Sequence, residues 1–424
     1  MLAFFGRTPF GVFPRAARNA VPAFIELLRC GAGKGAAAVC LLMLVALAPQ
    51  QTTAGGLPSP ATKTENPSAD ALFGSAVQVA EASFKAGDIY DRLLAAGTLA
   101  ETGNGPALEF LKTYLGSDDL VFKRATIDTL LASTHPLELD LLYRAAESDP
   151  STLGLMMESL AATPRADMED LISEALREGS SFVRKNAVQA IARGRVEGLN
   201  EQLRDLIADQ ATHETVRAYA YYALVSLGDG KEVSDRLFAL VKSEQVEERE
   251  VAAIAMGLYP ASETGKRLKT LMADRSDERV SLAATASSAG QGDDEAIGRL
   301  IKGVAYGKPM EASILAGALK RLPPKTAAQI TEVLMTCCKL TADAATRVLE
   351  SWSGIEADPA PVYAWGLAHE EADVRLQTTW LIGHRRDAEA LALLGPLLHD
   401  EDAGIRTMAA WSVVQCVGAQ GTLL

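Results

Sequence analysis

Histidine and carboxylate side chains stand together at two places near the carboxyl end of the chain. His369 lies in Ala-His-Glu-Glu-Ala-Asp, and His399 lies in Leu-His-Asp-Glu-Asp-Ala. Both side-chain types bind metals, but a metal site needs three or four ligands within about 2–2.3 Å of one ion. The two histidines are 30 residues apart in matching contexts, which indicates successive copies of one repeated turn. Stacked turns lie nearly 10 Å apart, so we predict no metal site.

The chain also lacks the motifs that usually signal catalysis or cofactor binding. It contains no Gly-x-Ser-x-Gly elbow, no Walker loop, no His-Glu-x-x-His and no paired Cys-x-x-Cys. The glycine-rich stretch 31–35 looks like a phosphate-binding loop, but it precedes an apolar run and follows no strand pattern, so we do not assign it that role. We therefore predict no catalytic residues and no cofactor.

The chain carries a pattern that returns about every 31 residues between 108 and 417. Its clearest copies read Ser-Phe-Val-Arg-Lys-Asn-Ala, Glu-Thr-Val-Arg-Ala-Tyr-Ala, Ala-Asp-Val-Arg-Leu-Gln-Thr and Ala-Gly-Ile-Arg-Thr-Met-Ala. Their arginines are Arg184, Arg217, Arg375 and Arg406. A fixed period of this length indicates stacked supersecondary units.

One unit, 167–193, shows what the pattern builds. Met168, Leu171 and Ala175 place apolar side chains on one helical face, and Gly179 ends that helix. A second apolar face follows, and Gly194 ends it. Such a helical hairpin cannot bury its apolar faces alone and must stack on neighbours. The fold class predicted is all-α, an α-solenoid of about ten stacked hairpins. These begin near 108, 137, 167, 199, 233, 264, 295, 326, 361 and 388.

The turn followed by Val-Arg or Ile-Arg, a small residue three positions later and an aliphatic one seven positions later resembles the HEAT repeat family. The small residues are Ala187, Ala220, Thr378 and Ala409; the aliphatic ones are Ile191, Leu224, Ile382 and Val413. The period near 31 is similar to the short bacterial type, which includes bilin-lyase-like repeats. The resemblance implies that the four arginines are structural, bonding within the turn and to the next repeat. It implies no particular function, since one fold hosts many.

A second face of the second helices carries large polar and aromatic side chains. In HEAT solenoids these helices line the concave surface, so the resemblance implies that this face points into the curve. Tyrosine and tryptophan there suit protein binding because they combine apolar area with a polar tip; filling gaps between repeats is the alternative interpretation. The candidate partner-binding residues are Tyr219, Tyr222, Gln377, Trp380, His384, Met408, Trp411 and Gln415.

The first 54 residues differ from the rest. Basic residues lead into thirteen apolar residues, 36–48, too short to span a bilayer at about 20 residues per crossing. This layout predicts a secretory signal peptide, and an uncleaved amino-terminal anchor is the alternative. The predicted divisions are a leader at 1–54, a flexible linker at 55–70, an amino-terminal helical cap at 71–107, the solenoid at 108–418 and a tail at 419–424. We expect export to the periplasm or cell envelope, with membrane contact only through an uncleaved leader.

Charge restricts the partners. The net charge is −13, and residues 1–48 carry a net +4, so the remainder carries about −17. Such a surface repels phosphate backbones, and we predict no nucleic-acid partner.

Cys337, Cys338 and Cys416 follow the leader, and an odd count with an adjacent pair is not a disulfide framework.

The last hairpin ends near Val417 with no polar cap after it. Solenoids normally need one, so we expect Val413, Val414 and Val417 to lack cover and to allow self-association at this edge.

The leading functional hypothesis is an exported, non-enzymatic scaffold that binds a protein partner through its concave face. The alternatives are an accessory or lyase-type protein for covalent cofactor attachment and a self-associating envelope protein.

Overall fold

The computed structural model describes residues 68–133, 135–259 and 263–419. The predicted leader lies outside the described residues, as do most of the predicted linker and residues 420–424 of the predicted tail. The described part is all-α: it contains twenty-two α-helices, five short 3-10 helices and no strand. The predicted solenoid is thereby confirmed.

The helices form eleven consecutive hairpins, in which odd-numbered helices come first and even-numbered helices second. The first six pairs are α1 Ala69–Ala86 and α2 Ile89–Ala100, α3 Gly105–Leu115 and α4 Leu120–Ala132, α5 Pro136–Ser148 and α6 Pro150–Ala162, α7 Glu169–Glu178 and α8 Ser181–Gly194, α9 Asn200–Ala208 and α10 Glu214–Ser226, α11 Gly230–Leu240 and α12 Val246–Leu258. The other five are α13 Thr264–Met272 and α14 Glu278–Gly290, α15 Asp294–Tyr306 and α16 Pro309–Ala318, α17 Pro324–Cys337 and α18 Ala342–Ser351, α19 Ala360–Leu367 and α20 Ala372–Arg385, α21 Leu391–Leu394 and α22 Ala403–Gly418.

Small side chains let the second helices pack closely. A methyl group on Gly257 of α12 would lie 2.6 Å from the Ser287 hydroxyl of α14. Gly383 of α20 approaches Ser412 of α22 in the same way. The second helices therefore stack backbone against side chain, which explains the abundance of alanine and glycine in the chain.

The solenoid closes on itself. Each second helix packs against the second helices on both sides, and α22 packs against α20 on one side and against α1 and α2 on the other. The eleven second helices thus form an inner ring, and the first helices lie outside it. Val413, Val414 and Val417 are buried. The expectation that they lack cover is wrong, because the first hairpin covers them, and the reason for expecting self-association there disappears.

The ring narrows at one end. Eleven helices spaced about 8–10 Å apart would enclose a ring roughly 30 Å across. However, Lys320 Nζ, just after α16, donates to the carbonyl of Ala162 at the end of α6 at 3.3 Å. These helices are five hairpins apart, so they face each other across the ring. The second helices therefore lean inwards at their carboxyl ends, here called the inner end, whereas their amino ends form a turn-side rim.

Candidate functional site

Two arginines of the repeat pattern, Arg375 and Arg406, hold their hairpin turns together. Arg375 Nη1 donates to the carbonyls of His369 and Glu370 at 3.1 and 3.0 Å. Arg406 bonds the equivalent carbonyls of Asp400 and Glu401 at 2.7 and 3.0 Å, as the HEAT resemblance implied. Further members of the series were missed in sequence: Arg249 makes the same bonds, and Ser281 replaces the arginine by donating to the Met272 carbonyl. Their position, fourth in each second helix, was the available signal.

The histidines of the turns also have local structural roles. His369 Nδ1 accepts a hydrogen bond from the Glu371 backbone N–H at 3.1 Å. His213 Nδ1 accepts one from Thr215 at 3.3 Å and so caps α10. No group of three or more histidine, cysteine or acidic side chains in the described part of the chain could hold a metal ion.

The eight predicted partner-binding residues divide into two sets. Tyr222, Trp411 and Gln415 are no more than 4% exposed. The prediction that these three are available to a partner is wrong, because ring closure and close helix packing cover them; Gln415 Nε2, for example, donates to Glu101 Oε1 at 3.1 Å across the closure. Five others remain partly exposed on the inside of the ring: Tyr219, Gln377, Trp380, His384 and Met408.

Trp380 and His384 form a stacked pair one helical turn apart on α20. Their ring centroids are 4.6 Å apart and the planes are inclined by 19°. Burial, followed by the positive charges of Arg386, Arg385 and Lys320, lowers the pKa of His384 to about 4. The imidazole is therefore neutral at physiological pH and can both donate and accept a hydrogen bond.

Exposed apolar side chains concentrate on the turn-side rim. Seven large hydrophobic residues of the described part are strongly exposed, and six of them lie at the hairpin turns, between 50% and 60% exposed. Four of them are the second residue of an even-numbered helix, and one is the first residue of such a helix. The sixth is the last residue of α15, beside the turn to α16. The rim residues are Tyr90, Leu120, Val121, Phe182, Tyr306 and Met310.

The same rim is acidic. A helix amino end needs a hydrogen-bond acceptor and favours negative charge, and the eleven second helices all begin on this side. Six of the eleven N-cap residues are acidic: Asp88, Asp119, Asp149, Asp277, Glu371 and Asp402. Three carboxyl groups lie close together near Tyr90: burial, followed by the charges of Asp88 and Asp402, raises the pKa of Asp91. The rim therefore combines apolar side chains with carboxylates.

Across residues 68–133, 135–259 and 263–419, the structure contains no helix that is both long enough and apolar enough to cross a bilayer.

Comparison with known proteins identifies the repeats. A family model described as HEAT repeats matches residues 168–257, which span the three hairpins from α7 to α12 except for the last residue of α12. No curated protein sequence matches the chain. The crystal structure of an engineered protein aligns with 73% of this chain and 98% of its own at 16% identity and a TM-score of 0.26. Human deoxyhypusine hydroxylase in complex with glycerol aligns with 72% of this chain and 99% of its own, at 17% identity and a TM-score of 0.24.

TM-scores this low do not establish a shared fold, so the identification rests on the match to the repeat family and on the hairpins themselves. The matched hairpins carry the Val-Arg turns at Arg184 and Arg217, and equivalent turns continue to Arg375 and Arg406. Residues 168–257 are therefore HEAT repeats, within a scaffold of helical hairpins that runs from α1 to α22.

Proposed function

We propose that this protein is an exported, non-enzymatic scaffold that binds a protein partner through its turn-side rim. The observation that carries the proposal is the concentration of six exposed hydrophobic residues on one end of the ring. Scattered exposed hydrophobic residues need no explanation, but a group of them on one surface favours an interaction site. The rim replaces the predicted concave face as the main contact surface, because Tyr222 and Trp411 are buried.

The chemistry of the partner follows from the surroundings of the rim. Tyr90, Leu120 and Val121 lie on neighbouring hairpins, and the Tyr90 ring is 6.0 Å from the Phe122 ring beside Val121. Asp88 and Asp119 cap the two helices that carry these side chains. A partner that complements this patch presents apolar side chains interleaved with lysine or arginine, because opposite potentials steer association.

Export is the second part of the proposal, and it rests on the layout of residues 1–54. The expected location is the periplasm or cell envelope, after cleavage near the end of the leader or with the leader retained as an anchor. Fractionation of the native host, with amino-terminal sequencing of the recovered protein, tests this part. Recovery of the protein in the cytoplasm with residues 1–54 intact would contradict export.

The binding part is tested by removing the apolar character of the patch. A triple variant, Tyr90→Ser, Leu120→Ser and Val121→Ser, changes exposed side chains and is expected to alter stability little. The matched control is Leu393→Ser, which changes an exposed leucine on α21 outside the rim. Each protein is cross-linked in the native host, purified and analysed by mass spectrometry.

We expect the partner to be recovered with the wild type and with Leu393→Ser and to be lost with the triple variant. Its cross-linked segment should contain basic residues. Without cross-linking, the partner should co-purify less at high salt, because salt screens electrostatic attraction. Recovery of the same cross-linked segment with the triple variant would refute the assignment of the rim.

A further inference from the structure

The inner end of the ring gathers cationic side chains in a chain that is otherwise strongly acidic. Arg193 lies at the end of α8, Lys320 and Arg321 follow α16, and Arg385 and Arg386 lie at the end of α20. Because all second helices run in the same direction, their carboxyl ends meet here. The five residues are here called the basic cluster.

Hydrogen bonds bring members of the cluster together. Arg193 Nη1 donates to the carbonyl of Ala161, and Lys320 Nζ donates to the next carbonyl, that of Ala162, at 3.3 Å. A guanidinium from one side of the ring and an ammonium from the other thus meet at the end of α6. Arg386 Nη2 reaches the Ala132 carbonyl at the end of α4 at 3.3 Å.

The positive charge of this cluster is not matched by direct ion pairs. Within the described ranges, none of its five members has a carboxylate oxygen within 4.0 Å. Arg193, Lys320, Arg385 and Arg386 instead donate to backbone carbonyls at the ends of α4 and α6 and just after α18. A helix carboxyl end carries about half a negative charge, so these ends offset only part of the five positive charges. The carboxylates of Glu350 and Glu250 act on Lys320 and Arg321 from beyond ion-pair distance.

Burial and neighbouring charge also act on the pKa of Lys320. Burial, followed by the nearby charge of Arg193, lowers the pKa of Lys320 to about 8. Arg321 also lies near Arg193, and its pKa is lowered chiefly by burial. Cations held close together at a partly desolvated site favour an anion between them.

Neutral groups beside the cluster can complete an anion site. His384 lies close enough to Lys320 to sense its charge, and its imidazole is neutral. Arg321 lies near the phenol groups of Tyr222 and Tyr219. The Trp380 ring stacks on His384 and so stands next to the cluster, where it can report on occupancy.

We propose that the inner end of the ring is a binding site for an oxyanion, a phosphate or carboxylate group, held by Arg193, Lys320 and Arg321. Guanidinium and ammonium groups form charge-assisted hydrogen bonds with such oxygens. The group belongs either to a free small molecule or to acidic side chains of a peptide. The site is on the opposite end of the ring from the rim and does not depend on the proposed protein partner.

The test is titration calorimetry of the full chain with three probes at constant ionic strength: inorganic phosphate, citrate and a hexaglutamate peptide. Tryptophan fluorescence, to which Trp380 contributes with the three other tryptophans, is followed in parallel. We expect at least one probe to bind with a Kd below about 10 mM, a weak but measurable affinity. Preference for phosphate or citrate identifies a free small anion, and preference for hexaglutamate identifies an acidic segment.

Variants then localise the binding. Lys320→Gln and Arg193→Gln each remove one charge, and each should weaken binding about tenfold, as expected for loss of a charge-assisted hydrogen bond. The control is Arg299→Gln on α15, whose side chain is 52% exposed and pairs only with Glu295 on its own helix. Arg193 is exposed, so Arg193→Gln should fold. This variant is sufficient for the test if Lys320→Gln does not fold. Failure of all three probes to bind, or equal binding by the variants and the control, would overturn the proposal.

Discussion

Ser83 and Thr407 lie 324 positions apart in the chain, and their side-chain hydroxyls are 2.8 Å apart and hydrogen-bonded. Ser83 is on α1 and Thr407 on α22, so this bond joins the first hairpin to the last. An open solenoid needs polar terminal repeats to protect its ends. Closure removes both ends and gives every hairpin a neighbour on each side.

Closure can be tested by joining these two positions covalently. In the double variant Ser83→Cys and Thr407→Cys, mild oxidation should form an intramolecular disulfide, because the two hydroxyl oxygens that the sulfur atoms replace are only 2.8 Å apart. A loop this long should stabilise the fold by about 2–5 kcal/mol. Intact mass, peptide mapping and thermal unfolding measure the outcome. The single variant Thr407→Cys controls for the native Cys337, Cys338 and Cys416. Formation of intermolecular dimers alone would show that the ring is open in solution.

Close packing between the second helices predicts a strong effect of one methyl group. An added Cβ on Gly383 would lie 2.5 Å from Ser412 Oγ and 2.6 Å from Ser412 Cα, a backbone atom that cannot move aside easily. Gly383→Ala should therefore destabilise the fold by about 1–3 kcal/mol. Chemical denaturation measures the change.

The matched control is Gly298→Ala within α15, where an added Cβ meets nothing within 4 Å. This variant should be stabilised by about 0.5–1 kcal/mol, because alanine favours helix over glycine. Equal effects of the two substitutions would argue against close contact between α20 and α22.

The hairpins could be predicted from sequence because their signals are local. The 33-residue spacing of Arg184 and Arg217 locates α8 and α10. The residues that define each of these helices all lie within a single hairpin. Ring closure had no such signal, since the meeting of Ser83 with Thr407 depends on small rotations accumulated over eleven hairpins. The prediction that Tyr222 and Trp411 are accessible was wrong for a related reason. Helical periodicity shows which side chains share a face, but not which distant element covers that face.

The turn arginines predict a second contrast in stability. Arg249 Nε pairs with Asp274 Oδ2 at 2.9 Å, and the two side chains are 11% and 15% exposed. Arg249 also donates to the Ser243 carbonyl at 2.7 Å. Arg249→Ala leaves a largely buried carboxylate and a turn carbonyl without this partner, and should cost about 3 kcal/mol.

Arg299→Ala is the matched control, because its pair with Glu295 is exposed and lies within one helix. Its cost should be no more than about 0.5 kcal/mol. Urea denaturation of both variants measures the difference. If Arg249→Ala lowers the free energy of unfolding as little as the control does, the turn arginines do not stabilise the repeat.

Glu138, near the start of α5, predicts how stability changes with pH. Its side chain is fully buried, and burial followed by the charge of Glu101 raises its pKa to about 9. Between the unfolded-state pKa near 4.5 and about pH 9, the folded protein keeps a proton that the unfolded chain releases. The free energy of unfolding therefore falls as pH rises through this window, by about 1.4 kcal/mol per pH unit from this group.

Glu138→Gln keeps the shape of the side chain and removes its titration. We expect the variant to gain stability relative to the wild type steadily from pH 5 to pH 8, measured by urea denaturation at several pH values. Glu147→Gln changes an exposed residue of the same helix, α5, and should follow the wild type at every pH. Parallel stability profiles for Glu138→Gln and the wild type would show that Glu138 ionises in the folded protein as it does in the unfolded chain.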